Sequence, residues 1–188
     1  MIGSSLRELA RQSTAAAHSA LENTPLMRVI SEGVPTGIQY RAYLSLQMRL
    51  HGPLEAALRP WVPADWRERR LLKTRWLRSD IETLGLMPDS TPADGPHITS
   101  TAEPLGVLYV LEGGTLGLQV VRKRMHLDDP TCAAATRFMA GYGADTDPNW
   151  RAFLECLEDL PTHTWPHALD AACDTFAAFQ RQFSRSTP

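Results

Sequence analysis

"YVLEGGTLGLQVVRK", residues 109–123, sets three glycines within five positions in the most apolar stretch of the chain. A Gly-Gly pair between apolar runs is a two-residue hairpin signal, and Val107, Val110, Val120 and Val121 favour strands. The flanks do not alternate in polarity, however, and the rest of the chain offers no strand with which an isolated hairpin could build a sheet. Read as a helix, the segment must offset roughly 1 kcal/mol per interior glycine relative to alanine. At about 100° per residue, Gly106, Gly113 and Gly117 fall within about 40° of one another and form a stripe without side chains. Such a stripe admits either the backbone of a second helix or a flat ligand, and the adjacent Gly113 and Gly114 provide a place to bend.

Outward from this segment the apolar spacing is helical nearly everywhere. A first helix is expected from a serine cap at Ser4 or Ser5 to about Asn23, with Pro25 opening a short second element. A long helix is expected from about Ile38 to Leu58, with Pro53 as the site for a bend, and "WVPADWRERRLLKTRWLRSDIETLG" reads as one further helix between Asp65 and Gly85. The loop from Met87 to Thr101 is long enough to be expected mobile. "DPTCAAATRFMAGYG", "DPNWRAFLECLEDLP" and "HALDAACDTFAAFQRQF" carry helical periodicity again. The expectation is an all-α, single-domain helical bundle spanning residues 1–188, a class that places cofactors between facing helices.

Composition narrows the function classes. Nineteen basic and twenty-one acidic residues give a net charge of -2, which makes no electrostatic case for nucleic acid or a membrane surface. No apolar run reads as a membrane span and the N-terminus lacks the apolar centre of a signal peptide, so a soluble cytoplasmic protein is expected. Cys132, Cys156 and Cys173 lack metal-ligand or redox spacing and read as reduced thiols of the packed interior.

On the first helix, Arg11, Thr14, His18 and Glu22 lie along one line beside the apolar stripe of Leu6, Leu9, Ala10, Ala17 and Leu21. Arg11 and His18 are seven residues apart, a rise of about 10.5 Å. An imidazole able to ligate a metal thus stands at one end and a guanidinium suited to a carboxylate at the other. A haem, with iron at its centre and propionates at its edge, would use such an arrangement if a glycine-lined helix covered its second face.

Three segments together resemble the biliverdin-producing haem oxygenases, especially the bacterial branch associated with bacteriophytochromes. "LRELARQSTAAAHSALENTPLM" is similar to the family's proximal helix, "PLGVLYVLEGGTLGLQVV" to its distal helix, and "FMAGYGADTDPNWRAFLECL" to its aromatic-glycine segment and tryptophan helix. The resemblance runs from about Leu6 to Phe183. It implies that His18 is the axial ligand of haem iron, with Arg11 meeting a propionate and Thr14 and Glu22 as its neighbours. It further implies that Gly113 and Gly117 allow close approach to porphyrin and dioxygen, that Phe176 closes the pocket, and that Arg181 is a second, weaker propionate partner. The sequence departs from the family at Gly114, where many members carry serine or aspartate, and at Leu118, where a further glycine is usual.

The implied activity is oxidative cleavage of haem, both substrate and cofactor, to biliverdin, carbon monoxide and ferrous iron. Gly113, Gly114 and Gly117 would form the catalytic wall. Dioxygen and an electron donor such as a ferredoxin or a reductase would be required, and a bacteriophytochrome is an implied acceptor of biliverdin. The departures at Gly114 and Leu118 leave a second reading, a haem carrier or degenerate homologue without turnover.

Other features point to less. His163 and His167 are four apart, but Pro161 and Pro166 argue against the continuous helix a metal site there would need. His51 is expected to pack between helices. The run from Arg67 to Arg78 holds six basic residues and one acid, which reads as a solvated helix face or as a docking patch for an acidic electron donor.

Overall fold

The computed structural model describes residues 5–87 and 97–185, and most of the loop anticipated after Met87 lies outside the described residues. Helices α1 (Leu6–Glu22), α2 (Pro25–Glu32) and α3 (Gly37–Leu58) are followed by α4 (Ala64–Arg69) and α5 (Lys73–Thr83). Then come α6 (Glu103–Arg124), α7 (Pro130–Ala134), α8 (Arg137–Ala140), α9 (Thr146–Glu158) and α10 (Trp165–Ser184). No strand occurs among the described residues, so residues 109–123 form no hairpin and α6 runs unbroken through all three glycines.

Local signals start several of these helices. Ser5 and Glu8 form a capping box at α1, and Thr36 and Gln39 form another at α3. Pro25 opens α2, which Gly33 closes in the left-handed conformation at φ 81°. Distant carboxylates complete other helix starts. Glu158 of α9 accepts from Leu6 N at 3.1 Å and Arg7 N at 2.7 Å, which adds a cap to α1. Glu55 of α3 accepts from Lys73 N and Thr74 N, supplying α5 with the cap its own sequence lacks. Asp80 of α5 does the same for α8, accepting from Arg137 N and Phe138 N at 2.8 Å each.

Two expected helices are each divided. The basic run breaks after Arg69 and resumes at Lys73, because Arg70 and Lys73 turn inward to a buried carboxylate that one continuous exposed helix could not reach. The segment after Asp129 breaks between Ala134 and Arg137, and Gly141 and Gly143 at φ 55° and 63° then turn the chain into α9.

Helix α6 contains an 18-residue window of mean hydropathy 1.3 and is by length and composition alone long and apolar enough to cross a membrane. Its apolar residues Val107, Leu108, Val110 and Leu111 are instead packed into the core of the bundle. Both α1 and α6 pack along α10, and α3 closes the core with Tyr40, Tyr43, Leu44 and Leu50. Gly106 is where α6 meets α10 most closely. A Cβ there would lie 2.0 Å from the Ala168 carbonyl oxygen, so this member of the glycine stripe serves helix packing and not a ligand.

Candidate active site

Helices α1, α3, α6 and α10 surround a cavity of about 710 Å³, within the size range of sites for cofactors and small molecules. From α1 it is lined by Arg11, Thr14, His18 and Glu22, the four residues aligned along that helix. From α6 it is lined by Gly113, Gly114, Gly117 and Leu118, and from α10 by Phe176. The remaining expected residue, Arg181, is exposed on α10 and is not part of the lining.

The two walls differ in character. On α1, the His18 Nδ1 lies 3.4 Å from Glu22 Oε2, and the ring meets Phe176 edge-on at 5.5 Å between centroids. A carboxylate at Nδ1 favours the proton there and leaves the Nε2 lone pair available as a ligand. The side chain is 54% exposed, so it can reach a group inside the cavity without crossing packed atoms. Thr14 is buried and donates its hydroxyl to the Ala10 carbonyl, a bond within the helix that leaves no donor for a ligand. On α6, a Cβ added at Gly114 or Gly117 would meet nothing within 4 Å, whereas one at Gly113 would touch the Trp150 ring at 3.5 Å. The open part of the glycine wall is therefore Gly114 and Gly117, with Trp150 beside them.

Helix α3 contributes polar groups that sequence reading does not assign to the site. Tyr43, Gln47 and His51 all line the cavity. The Tyr43 hydroxyl and the Gln47 Oε1 are buried with no hydrogen bond of ordinary length, although the Gln47 amide lies near enough to the phenol to lower its pKa against burial. Buried polar atoms of this kind require a partner from water or a ligand. Burial pushes the Tyr43 phenol well above its ordinary pKa. His51 is buried, its Nδ1–H donates to the Gln47 carbonyl at 3.0 Å, and burial pushes its pKa down from 6.5 to about 3. The imidazole is thus neutral, wedged edge-on between Phe138 and Phe179 as expected for a histidine between helices, yet it also reaches the cavity. The spacing of 43, 47 and 51 at successive i, i+4 positions could have marked this polar line, but the surrounding apolar residues read as core.

Arg124, at the end of α6, also lines the cavity and adds a second guanidinium to that of Arg11. Nearer the start of α6, Tyr109 packs on Trp150 at 5.6 Å between ring centroids, and burial raises its phenol pKa against the lowering influence of Thr14. Elsewhere, His163 sits in a 3-10 turn (Thr162–Thr164) and His167 in α10, so no single helix carries both.

A haem oxygenase of Xanthomonas campestris pv. campestris is 32% identical to this chain over 138 residues, which cover 71% of the chain and 80% of that protein. The chain belongs to the haem oxygenase family. No protein-family model matches it. The fold is that of solved haem oxygenases. The enzyme of Neisseria meningitidis, solved with NO and CO bound, superposes with a TM-score of 0.74 at 20% identity, over 98% of this chain and 94% of that one. Haem oxygenase-1 of Synechocystis, solved with haem, gives 0.66 at 17% identity over 96% and 91%. The glycine-rich α6 and the histidine-bearing α1 are therefore parts of a haem oxygenase fold.

Proposed function

We propose that the chain acts, as one domain, as a haem oxygenase that binds haem between α1 and α6. The observation that carries this reading is the opposition of two unlike walls across one cavity. His18, an imidazole oriented by Glu22 and Phe176, faces a helix whose Gly114 and Gly117 present no side chain. The donor set fits haem: an imidazole for iron, guanidinium groups for propionates and an apolar remainder for the macrocycle.

His18 would supply a nitrogen ligand to the haem iron and Arg11 a charge-assisted hydrogen bond to a propionate, with Arg124 as a second cation. Gly114 and Gly117 would leave clearance for a small diatomic beside the ring, and Phe176 would close the edge near His18. The chemistry that bound haem supplies is activation of dioxygen at iron and opening of its own porphyrin to biliverdin, carbon monoxide and ferrous iron, driven by external electrons. With glycine at 114, the polar groups beside the open wall come from α3. Tyr43, Gln47 and His51 would hold the water that passes protons toward the glycine wall, and the buried Tyr43 hydroxyl and Gln47 Oε1 fit that use. A ferredoxin or reductase as electron donor and a bacteriophytochrome as acceptor of biliverdin complete this reading.

The experiment is direct. Haemin added to the protein should give a Soret band, and a reductant in air should convert that spectrum to a biliverdin band. Binding without conversion would support the carrier reading made possible by Gly114 and Leu118. Absence of a Soret shift would sink both.

A further inference from the structure

Behind the distal glycines, on the side of α6 away from the cavity, lies a buried polar cluster. Glu112 is 2% exposed, Lys73 1% and Arg70 8%. Lys73 Nζ donates to Glu112 Oε1, to the Tyr142 hydroxyl at 2.8 Å and to the Arg70 carbonyl at 3.0 Å. Tyr142 in turn donates to Glu112 Oε1 at 2.9 Å, and Arg70 Nη1 meets Glu112 Oε2 at 3.4 Å. Glu112 therefore has three cationic or hydroxyl partners, drawn from the α4–α5 junction, the start of α5 and the turn after α8.

Removing three charges from water is unfavourable, and an apolar cluster of the same volume would often serve stability as well. The position of the cluster suggests what it does. At about 100° per residue, Glu112 points about 160° away from Gly114 and about 140° away from Gly117. At Gly114 and Gly117 the cavity face of α6 carries no side chain that could hold this part of the helix at a set distance, and its close packing on α10 lies more than two turns away at Gly106. Beside Gly114 the opposite face, at Glu112, can do so. Lys73 is also the residue whose backbone N–H is capped by Glu55 of α3 at 2.7 Å. One continuous chain of contacts, Glu55 to Lys73 to Glu112, thus joins the helix bearing Tyr43, Gln47 and His51 to the helix bearing Gly114 and Gly117.

We infer that Glu112 is a positioning residue: clamped by Lys73, Arg70 and Tyr142, it sets the separation between the glycine wall of α6 and the polar wall of α3. The inference rests on the haem-binding reading for its consequence, because the gap it sets is the distal space above the ring. A side chain that never touches the ligand would then tune how tightly a diatomic is held there.

Two variants and a control test this. Glu112→Gln keeps the shape and removes the charge, and Tyr142→Phe removes only the hydroxyl. Leu58→Ala truncates a fully buried core residue seven positions beyond His51 and serves as the control for loss of stability alone. In the haem-free protein, amide exchange across residues 113–118 should quicken about tenfold in Glu112→Gln relative to the amides of α3, while Leu58→Ala should quicken both alike. In the haemin-loaded, reduced protein under carbon monoxide, the C–O stretching band should shift or split in Glu112→Gln and stay in place in Leu58→Ala. Exchange that rises uniformly together with an unmoved band would overturn the inference. If Glu112→Gln does not fold, the same two measurements on Tyr142→Phe decide it. Should the unaltered protein fail to bind haemin, the functional reading falls, and exchange in the haem-free variants still judges the clamp.

Discussion

The imidazole of His18 and the ring of Phe176 meet edge to face, 5.5 Å between centroids and 67° between planes, so α10 orients a side chain that α1 carries. Phe176 is 8% exposed, whereas His18 is largely open to the cavity. The two should respond differently to truncation. Phe176→Ala should lower stability by about 3–5 kcal/mol and broaden the haemin ligation spectrum. His18→Ala should leave stability within about 0.5 kcal/mol and abolish the native spectrum. Thermal denaturation and haemin titration of both variants check this, and an unchanged spectrum in His18→Ala would refute its assignment as ligand.

The glycines of α6 divide into two kinds. Gly106→Ala would drive a methyl against the Ala168 carbonyl and should cost about 1–3 kcal/mol or more in stability. Gly114→Ala meets nothing within 4 Å and should gain up to about 1 kcal/mol of helix stability. Its methyl would project into the cavity, so haemin affinity or turnover should fall while the melting temperature rises. A Gly114→Ala protein that melts lower than its parent would contradict the open-wall geometry.

Lys73→Met strands Glu112 in the interior beside a single guanidinium. The loss should be about 3–5 kcal/mol, because the buried carboxylate loses its nearest cation and keeps only the longer Arg70 contact and the Tyr142 hydroxyl. Lys73→Met combined with Glu112→Gln should recover part of that loss, a non-additivity that a double-mutant cycle in denaturant reads out.

His51 makes stability depend on pH. Its folded pKa is pushed from 6.5 to about 3 by burial, so between those values the unfolded chain binds a proton that the folded protein refuses. The contribution of His51 is therefore full above pH 6.5 and is lost as pH falls toward 3, with a slope of at most about 1.4 kcal/mol per pH unit. Asp80 and Glu55, raised by burial, act with the opposite sign. The comparison that isolates His51 is the difference between the parent and His51→Gln, whose melting temperature should decline less from pH 7 to pH 4.

By itself the sequence determined the all-helical class, a serine cap at the start of α1, and the line Arg11, Thr14, His18 and Glu22 on one face of that helix. These are local properties, set by hydrogen bonds and side-chain positions within four residues along one helix. It also singled out α6 by its glycines, but not which glycine does what. Gly106 packs on α10 while Gly114 and Gly117 stay open, and this follows from where Ala168 and Trp150 come to lie. Tertiary structure alone turned Arg70 and Lys73 out of a basic run and into a buried cluster, and alone brought Tyr43, Gln47 and His51 to a cavity that α6 borders some sixty residues later. Each of these depends on which distant surface removes water from a side chain, and a buried charge or an unpartnered hydroxyl becomes legible only once that surface is in place.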